Sequence, residues 1–134
     1  MTHGVRSADP EARQSQMPRF GLDKALTAAE VQQVADYVWT KLYGHADAKI
    51  DTTKGEALYA DNCVACHNAA GEGNREMGAP RLSSRVHLYG DSRDEIVAQV
   101  NQGRGGVMPN WGARLDTATL KSVVLYVHSL GGGE

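Results

Sequence analysis

Chemistry in this chain is concentrated in one run of residues, Cys63-Val64-Ala65-Cys66-His67. On a turn of helix, two thiols at this spacing reach neighbouring edges of a single flat group, while the imidazole directly after them is aimed at its centre from one face. This is the attachment pattern of a c-type haem: both thiols add to porphyrin vinyl groups as thioethers, and His67 becomes an iron ligand. Covalent tethering keeps ferrous haem from leaving a small, partly open pocket. Three other uses of a thiol pair compete. A zinc site needs two more ligands at suitable spacing, yet Cys63 and Cys66 are the only cysteines and the other histidines are scattered. A redox-active dithiol sits in a βαβ setting, and no strand pattern leads into Cys63. Against a structural disulfide, as against the other two, stands the immediately following His.

The opposite face of the iron needs its own ligand, and Met108 is the favoured residue. It follows the glycine-rich stretch Gly103 to Gly106, which can bend close to a porphyrin, and Pro109 fixes the backbone just beyond it. Met77 competes, but it lies so soon after His67 that the loop would have to cross the haem edge at once; pocket lining or exposure suits it better. His87 offers a bis-His site, although its polar surroundings favour a surface or propionate-contacting role. His3, His45 and His128 read as surface residues. A His and Met pair closes both axial positions, and thioether sulfur favours ferrous iron, which raises the potential relative to a bis-His site. Oxygen activation, peroxide cleavage and gas binding all need an open position, so this pattern points to single-electron transfer and away from catalysis.

Further residues are expected around the group. The segment Gly78-Ala79-Pro80 is placed where a backbone carbonyl accepts the other ring N–H of His67 and fixes its orientation. Tyr59, Leu82, Tyr89 and Trp111 are candidate haem-packing residues. Arg81, Arg85 and Arg104 are candidates for pairing with the propionates.

Helices must position these groups, and no strand pattern competes with them. Residues 1–26 are polar and irregular. Thr27 and Glu30 form a capping box, after which Val31, Val34, Ala35, Val38 and Leu42 recur at helical spacing until Gly44. A second helix is predicted over 54–62, with Leu58 and Tyr59 facing inward, ending at the cysteine pair. Residues 68–90, with several glycines and Pro80, form a long loop suited to wrapping a prosthetic group. Ser92 begins a short helix with Ile96, Val97 and Val100. A final helix with Leu120, Val123, Val124, Val127 and Leu130 ends at three glycines. The fold class is all-α, a small helical fold around one covalent haem, preceded by a partial helical module.

With 134 residues, 41% of them apolar, the chain affords one small domain and an appendage, and a buried haem adds to a modest core. A net charge of −2 gives no basic footprint for nucleic acid or for an anionic membrane surface. No apolar run is long enough to cross a bilayer, so no membrane contact is expected from these residues themselves. An internal echo organises the rest. Met17-Pro18-Arg19-Phe20 and the helix after it resemble Met108-Pro109-Asn110-Trp111 and its helix. The expected division is therefore residues 1–44 as the back half of a first module, 45–53 as a linker, and 54–134 as a complete haem domain.

Cys63, Cys66, His67, Pro80 and Met108 together resemble the small class I cytochromes c, over residues 54–130. A narrower resemblance is to the two-haem subunit, subunit III, of the cbb-type (C-family) haem-copper oxidases. His3-Gly4-Val5-Arg6 leading to Met17-Pro18-Arg19-Phe20-Gly21 is similar to the end of that subunit's first haem module. Gly78-Ala79-Pro80-Arg81-Leu82, Leu88-Tyr89-Gly90 and Gly103-Arg104 leading to Met108-Pro109-Asn110-Trp111 resemble its second. The resemblance implies a periplasmic, membrane-anchored electron-entry subunit of the bacterial inner membrane. It would take electrons from a donor such as a soluble cytochrome c and pass them to the oxygen-reducing subunit. It also implies that Met17 ligates the first haem, although here Met17 has no Cys-pair half of its own and is an orphan. The first Cys-pair half and the anchor are absent from these residues, so a fragment of the longer subunit is expected. A free monohaem carrier is the alternative; a haem enzyme or gas sensor would need Met108 off the iron.

Overall fold

A computed structural model describes residues 1–130. The described residues are helical, with isolated backbone bridges and no strands, in keeping with the all-α expectation. In chain order the helices are α1 (Ala28–Tyr37), α2 (Thr53–Asn62), α3 (Val64–His67), α4 (Arg93–Gln102) and α5 (Thr117–Ser129). A π-helical turn, Val38–Leu42, prolongs α1, and a 3-10 turn, Trp111–Ala113, precedes α5. The glycines expected to end the last helix lie outside the described residues.

The chain forms two compact units, Met17–Arg104 and Met1–Gln16 with Gly105–Glu134. The segment over 45–53 lies inside the Met17–Arg104 unit, and residues 1–44 contribute to both. The core of the Met17–Arg104 unit is helical. Here α1 lies against α2 and α4, burying Val31, Val34, Ala35 and Val38 with Tyr59, Cys63, Ile96 and Val100. The spacing that predicted an inward face on α1 is the spacing that fills this core. Thr27 caps the helix: its Oγ1 accepts from Glu30 N at 3.3 Å, and Thr27 N donates to the Glu30 carboxylate at 2.7 Å. Ser92 and Glu95 repeat that device at α4, so both helices packed against each other start at a fixed residue. The Arg93 guanidinium pairs with Asp36, and the Tyr37 and Tyr59 rings meet at 5.2 Å between centroids.

Gly55 lets α1 and α2 approach closely. A Cβ there would meet the Gln33 carbonyl and lie 2.9 Å from Tyr37 Cβ, so the usual helix penalty of glycine, about 1 kcal/mol, is offset by contact on a buried face. Gly55→Val is expected to lower the unfolding free energy by about 2 kcal/mol or more. Thermal melting checks it, and an unchanged midpoint would mean the two helices do not cross at this glycine.

In the other unit, Val5 N donates to Met108 O at 3.0 Å and Met108 N donates to Val5 O at 2.9 Å. Arg6 donates to the carbonyls of Gly106, at 2.6 Å, and Ser15, at 2.5 Å. Asp116 caps α5 through Ala118 N and Thr119 N, both at 3.0 Å. None of the α5 residues is buried, and Val123, Val124, Leu125, Tyr126, Val127 and Leu130 are exposed. The final helix expected from the sequence is present with its apolar period, and none of its residues is enclosed.

Candidate haem-attachment site

Helix α2 delivers the motif. Its last residues lead into Cys63, whose N donates to Tyr59 O at 2.9 Å, and the single turn α3 carries Cys66 and His67. Both cysteines are free thiols; Cys63 is buried and Cys66 half-buried. Burial, with the neighbouring Cys66 thiol adding to it, pushes the Cys63 pKa up to about 12, so Cys63 is protonated at neutral pH. Among the described residues, no three or more His, Cys, Asp and Glu side chains gather to hold a metal ion. The zinc alternative gains nothing from this surrounding.

His67 is 8% exposed. Its Nδ1 lies 3.0 Å from Pro80 O, which fixes the ring and leaves Nε2 as its coordinating atom. Burial lowers the His67 pKa, and the bond to the Pro80 carbonyl opposes the shift without reversing it. Neutral imidazole is the form that binds a metal. The donor set therefore fits a covalently held haem: two unoxidised thiols at the attachment spacing and one neutral imidazole with its second nitrogen already engaged.

The loop after His67 is tied into shape by its own backbone. Asn68 takes a left-handed φ of 59°, its carbonyl accepts from Tyr59 Oη at 2.9 Å, and its Nδ2 donates to Gly73 O at 2.7 Å. Gly73 N donates back to His67 O at 3.0 Å, and Leu82 N reaches Gly71 O at 2.7 Å. Tyr59 is almost fully enclosed at 2% exposure, and burial raises its pKa, so it stays a hydrogen-bond donor. Gly73 holds a φ of 78°, and a Cβ there would stand 2.7 Å from Ala79 O and Arg81 N. Gly73→Ala combines left-handed strain with a backbone clash beside Pro80. It is expected to cost about 2–3 kcal/mol in chemical denaturation; a loss under about 0.5 kcal/mol would show the loop to be pliant here.

The remaining sequence candidates divide between the units. Cys63, Cys66, His67, Pro80, Tyr59, Leu82, Tyr89, Arg104 and Met17 belong to Met17–Arg104, whereas Met108 and Trp111 belong to the other. Leu82 and Met17 pack against the buried cluster that includes Cys63. Arg104 lies over the Tyr89 ring at 5.1 Å and donates to Gln99 Oε1 at 3.2 Å, so its guanidinium is already employed at the end of α4. Arg114 lies over the Trp111 ring at 5.6 Å. Met77 is 50% exposed. His87 stacks face to face on Tyr43 at 3.5 Å, with its Nε2 3.3 Å from Leu82 O and its buried Nδ1 without a partner. The sequence reading missed this stack, because Tyr43 and His87 are far apart in the chain and share no motif.

Comparison with known proteins adds the family. The family model described as cytochrome C oxidase, cbb3-type, subunit III matches residues 51–127. The chain is 47% identical over its whole length to a Cbb3-type cytochrome c oxidase subunit CcoP of Cereibacter sphaeroides, of which it covers 46%. It is 46% identical over 132 residues, 98% of the chain, to a Cbb3-type cytochrome c oxidase subunit FixP of Bradyrhizobium diazoefficiens, covering 45% of that protein. A CcoP subunit of Azospirillum brasilense is 40% identical over 139 residues, with 98% of the chain and 47% of the relative covered. The chain thus spans less than half the length of these relatives.

Proposed function

The chain belongs to the family described as cytochrome C oxidase, cbb3-type, subunit III, and from that membership we propose that it transfers single electrons through one covalently attached haem c, without catalysing a reaction itself. The observation that carries this proposal is the turn Cys63–His67, with two free thiols and a buried imidazole oriented by Pro80. When bound, the haem supplies an iron that exchanges one electron between its ferric and ferrous forms.

The chain's residues do the rest. Cys63 and Cys66 would tether the porphyrin, and His67 would ligate through Nε2. Met108 would supply the second ligand, a neutral thioether that favours ferrous iron and would raise the potential. Pro80 would orient His67; Tyr59, Leu82, Tyr89 and Trp111 would pack on the haem; and Arg104 would pair with its propionates. The organisation into 1–44, 45–53 and 54–134 is proposed as the division into inherited modules, with 54–134 carrying the haem motif and Met108. The setting is the periplasmic side of the bacterial inner membrane, as part of a membrane-anchored oxidase subunit. Electrons arrive from a donor such as a soluble cytochrome c and leave toward the oxygen-reducing subunit. No helix among the described residues is long and apolar enough to cross a membrane.

Carbon monoxide tests the reading. The dithionite-reduced holoprotein is expected to keep its spectrum under carbon monoxide and to give up one electron per haem to an oxidant. Ready binding of the gas would mean an open iron, and with it a haem enzyme or gas sensor.

A further inference from the structure

Gly4, Val5 and Arg6 hold the backbone that carries Met108, and we propose that Arg6, together with the close approach at Gly4, positions the Met108 thioether and sets how readily that sulfur leaves the iron. The proposal rests on the reading of Met108 as a ligand given above and extends it to what keeps the ligand in place. All the contacts it uses lie within the unit of Met1–Gln16 and Gly105–Glu134.

Met108 follows three exposed residues, Gly105, Gly106 and Val107. Two of them are glycines, so neither burial nor side-chain sterics fixes the path of the chain into Met108. Pairing fixes it instead. Val5 N donates to Met108 O at 3.0 Å and Met108 N donates to Val5 O at 2.9 Å, so one residue engages both polar groups of the Met108 backbone. Gly4 lies against the same peptide. Its φ is 75°, and a Cβ there would meet the Met108 carbonyl oxygen and stand 2.7 Å from Pro109 O, so only a residue without a side chain permits this approach. Beyond Met108, Gly112 N donates to Thr2 O at 3.0 Å, and the Asp9 carboxylate accepts from Asn110 Nδ2 at 3.4 Å.

Arg6 adds a charged hold. Its Nε donates to Gly106 O at 2.6 Å and its Nη1 to Ser15 O at 2.5 Å, so one planar guanidinium ties the carbonyl two residues before Met108 to the far end of the 1–16 segment. The Arg6 backbone is left-handed, with a φ of 54°, and its N donates to Arg13 O at 2.8 Å. A long side chain in that conformation is strained, and such strain persists where the surrounding contacts over-determine it. Here those contacts end on Gly106 and, through Val5, on Met108. A thioether binds iron without the help of charge, so its occupancy depends on how firmly the backbone holds the sulfur in place. Loosening this hold frees the sulfur to leave without touching the attachment through Cys63 and Cys66.

The test mixes the ferric holoprotein, produced by export with its haem attached, with cyanide, which enters only when the sulfur has left, and records the near-infrared thioether band alongside. Arg6→Ala is expected to raise the cyanide association rate about tenfold or more, as the loss of a charge-assisted hydrogen bond implies, and to weaken the band while the haem stays covalent. Gly4→Ala should raise the rate further. Arg6→Lys keeps the charge but not the planar fork and should fall between the wild type and Arg6→Ala. Gly44→Ala is the control: its φ is 84° and nothing lies within 4 Å of a Cβ there, so it adds the same backbone strain away from Met108 and should leave the rate at the wild-type value. Wild-type rates in Arg6→Ala and Gly4→Ala overturn the proposal, and so does an equal rise in Gly44→Ala, which marks general loosening. Should Gly4→Ala fail to fold, the two Arg6 variants decide. Met108→Leu tests the underlying reading separately: it should abolish the band, and a band that survives there removes Met108 as the ligand, and this hold with it, whatever the Arg6 variants show.

Discussion

Changing both Cys63 and Cys66 to alanine is expected to take covalent haem from one per chain to none. After denaturation and extraction with acidified solvent, all haem should leave the variant, whereas in the native chain it stays with the polypeptide. The reason is that thioether bonds survive unfolding and an axial ligand does not. Each single variant should keep one bond and a smaller yield. Cys63 is enclosed among α1, α2 and α4 residues and Cys66 is half-open, so Cys63→Ala also removes packing and should give the lower yield. Haem still bound to the double variant after extraction would mean that attachment runs through another residue. The double variant should also melt lower than the holoprotein, because a group that binds only the folded state adds to its stability.

His67→Gly is expected to have the second large effect. Covalent haem should remain, since both thiols are untouched, but the low-spin spectrum should be lost in essentially every molecule because the proximal nitrogen is gone. The Pro80 carbonyl then faces the space left by the ring. Imidazole added to the variant should enter that space and restore the low-spin spectrum, which a purely structural role for His67 would not allow. Retention of the native spectrum without added imidazole would show that another residue, His87 being the nearest rival in type, is the proximal ligand.

Much of this was legible in the chain because the signals are local. A Cys-Cys-His run states its chemistry within five residues, and the Thr27-x-x-Glu30 box and the α1 period state where a helix starts and which face it buries. Ser92-x-x-Glu95 carried the same capping signal for α4 and could have been read as such. The contact from His67 Nδ1 to Pro80 O is less local, but a proline soon after a left-handed glycine turn marks a fixed carbonyl. What was not legible was choice between equals. Two Met-Pro segments with two apolar helices present the same pattern, and period alone cannot say which of them lies on α2; the structure seats α1 there. The Tyr43–His87 stack was hidden for a related reason. Neither residue has a periodic or motif signature, and only the path of the 68–90 loop brings them together.

A six-coordinate covalent haem closed by His67 and a methionine thioether is tested by one pair of optical spectra. The oxidised and the dithionite-reduced holoprotein are recorded, including the weak near-infrared band that arises from thioether coordination to ferric iron. A sharp low-spin c-type spectrum is expected on reduction, and the near-infrared band on oxidation. A covalent haem without that band, or with the spectrum of a five-coordinate iron, would contradict it.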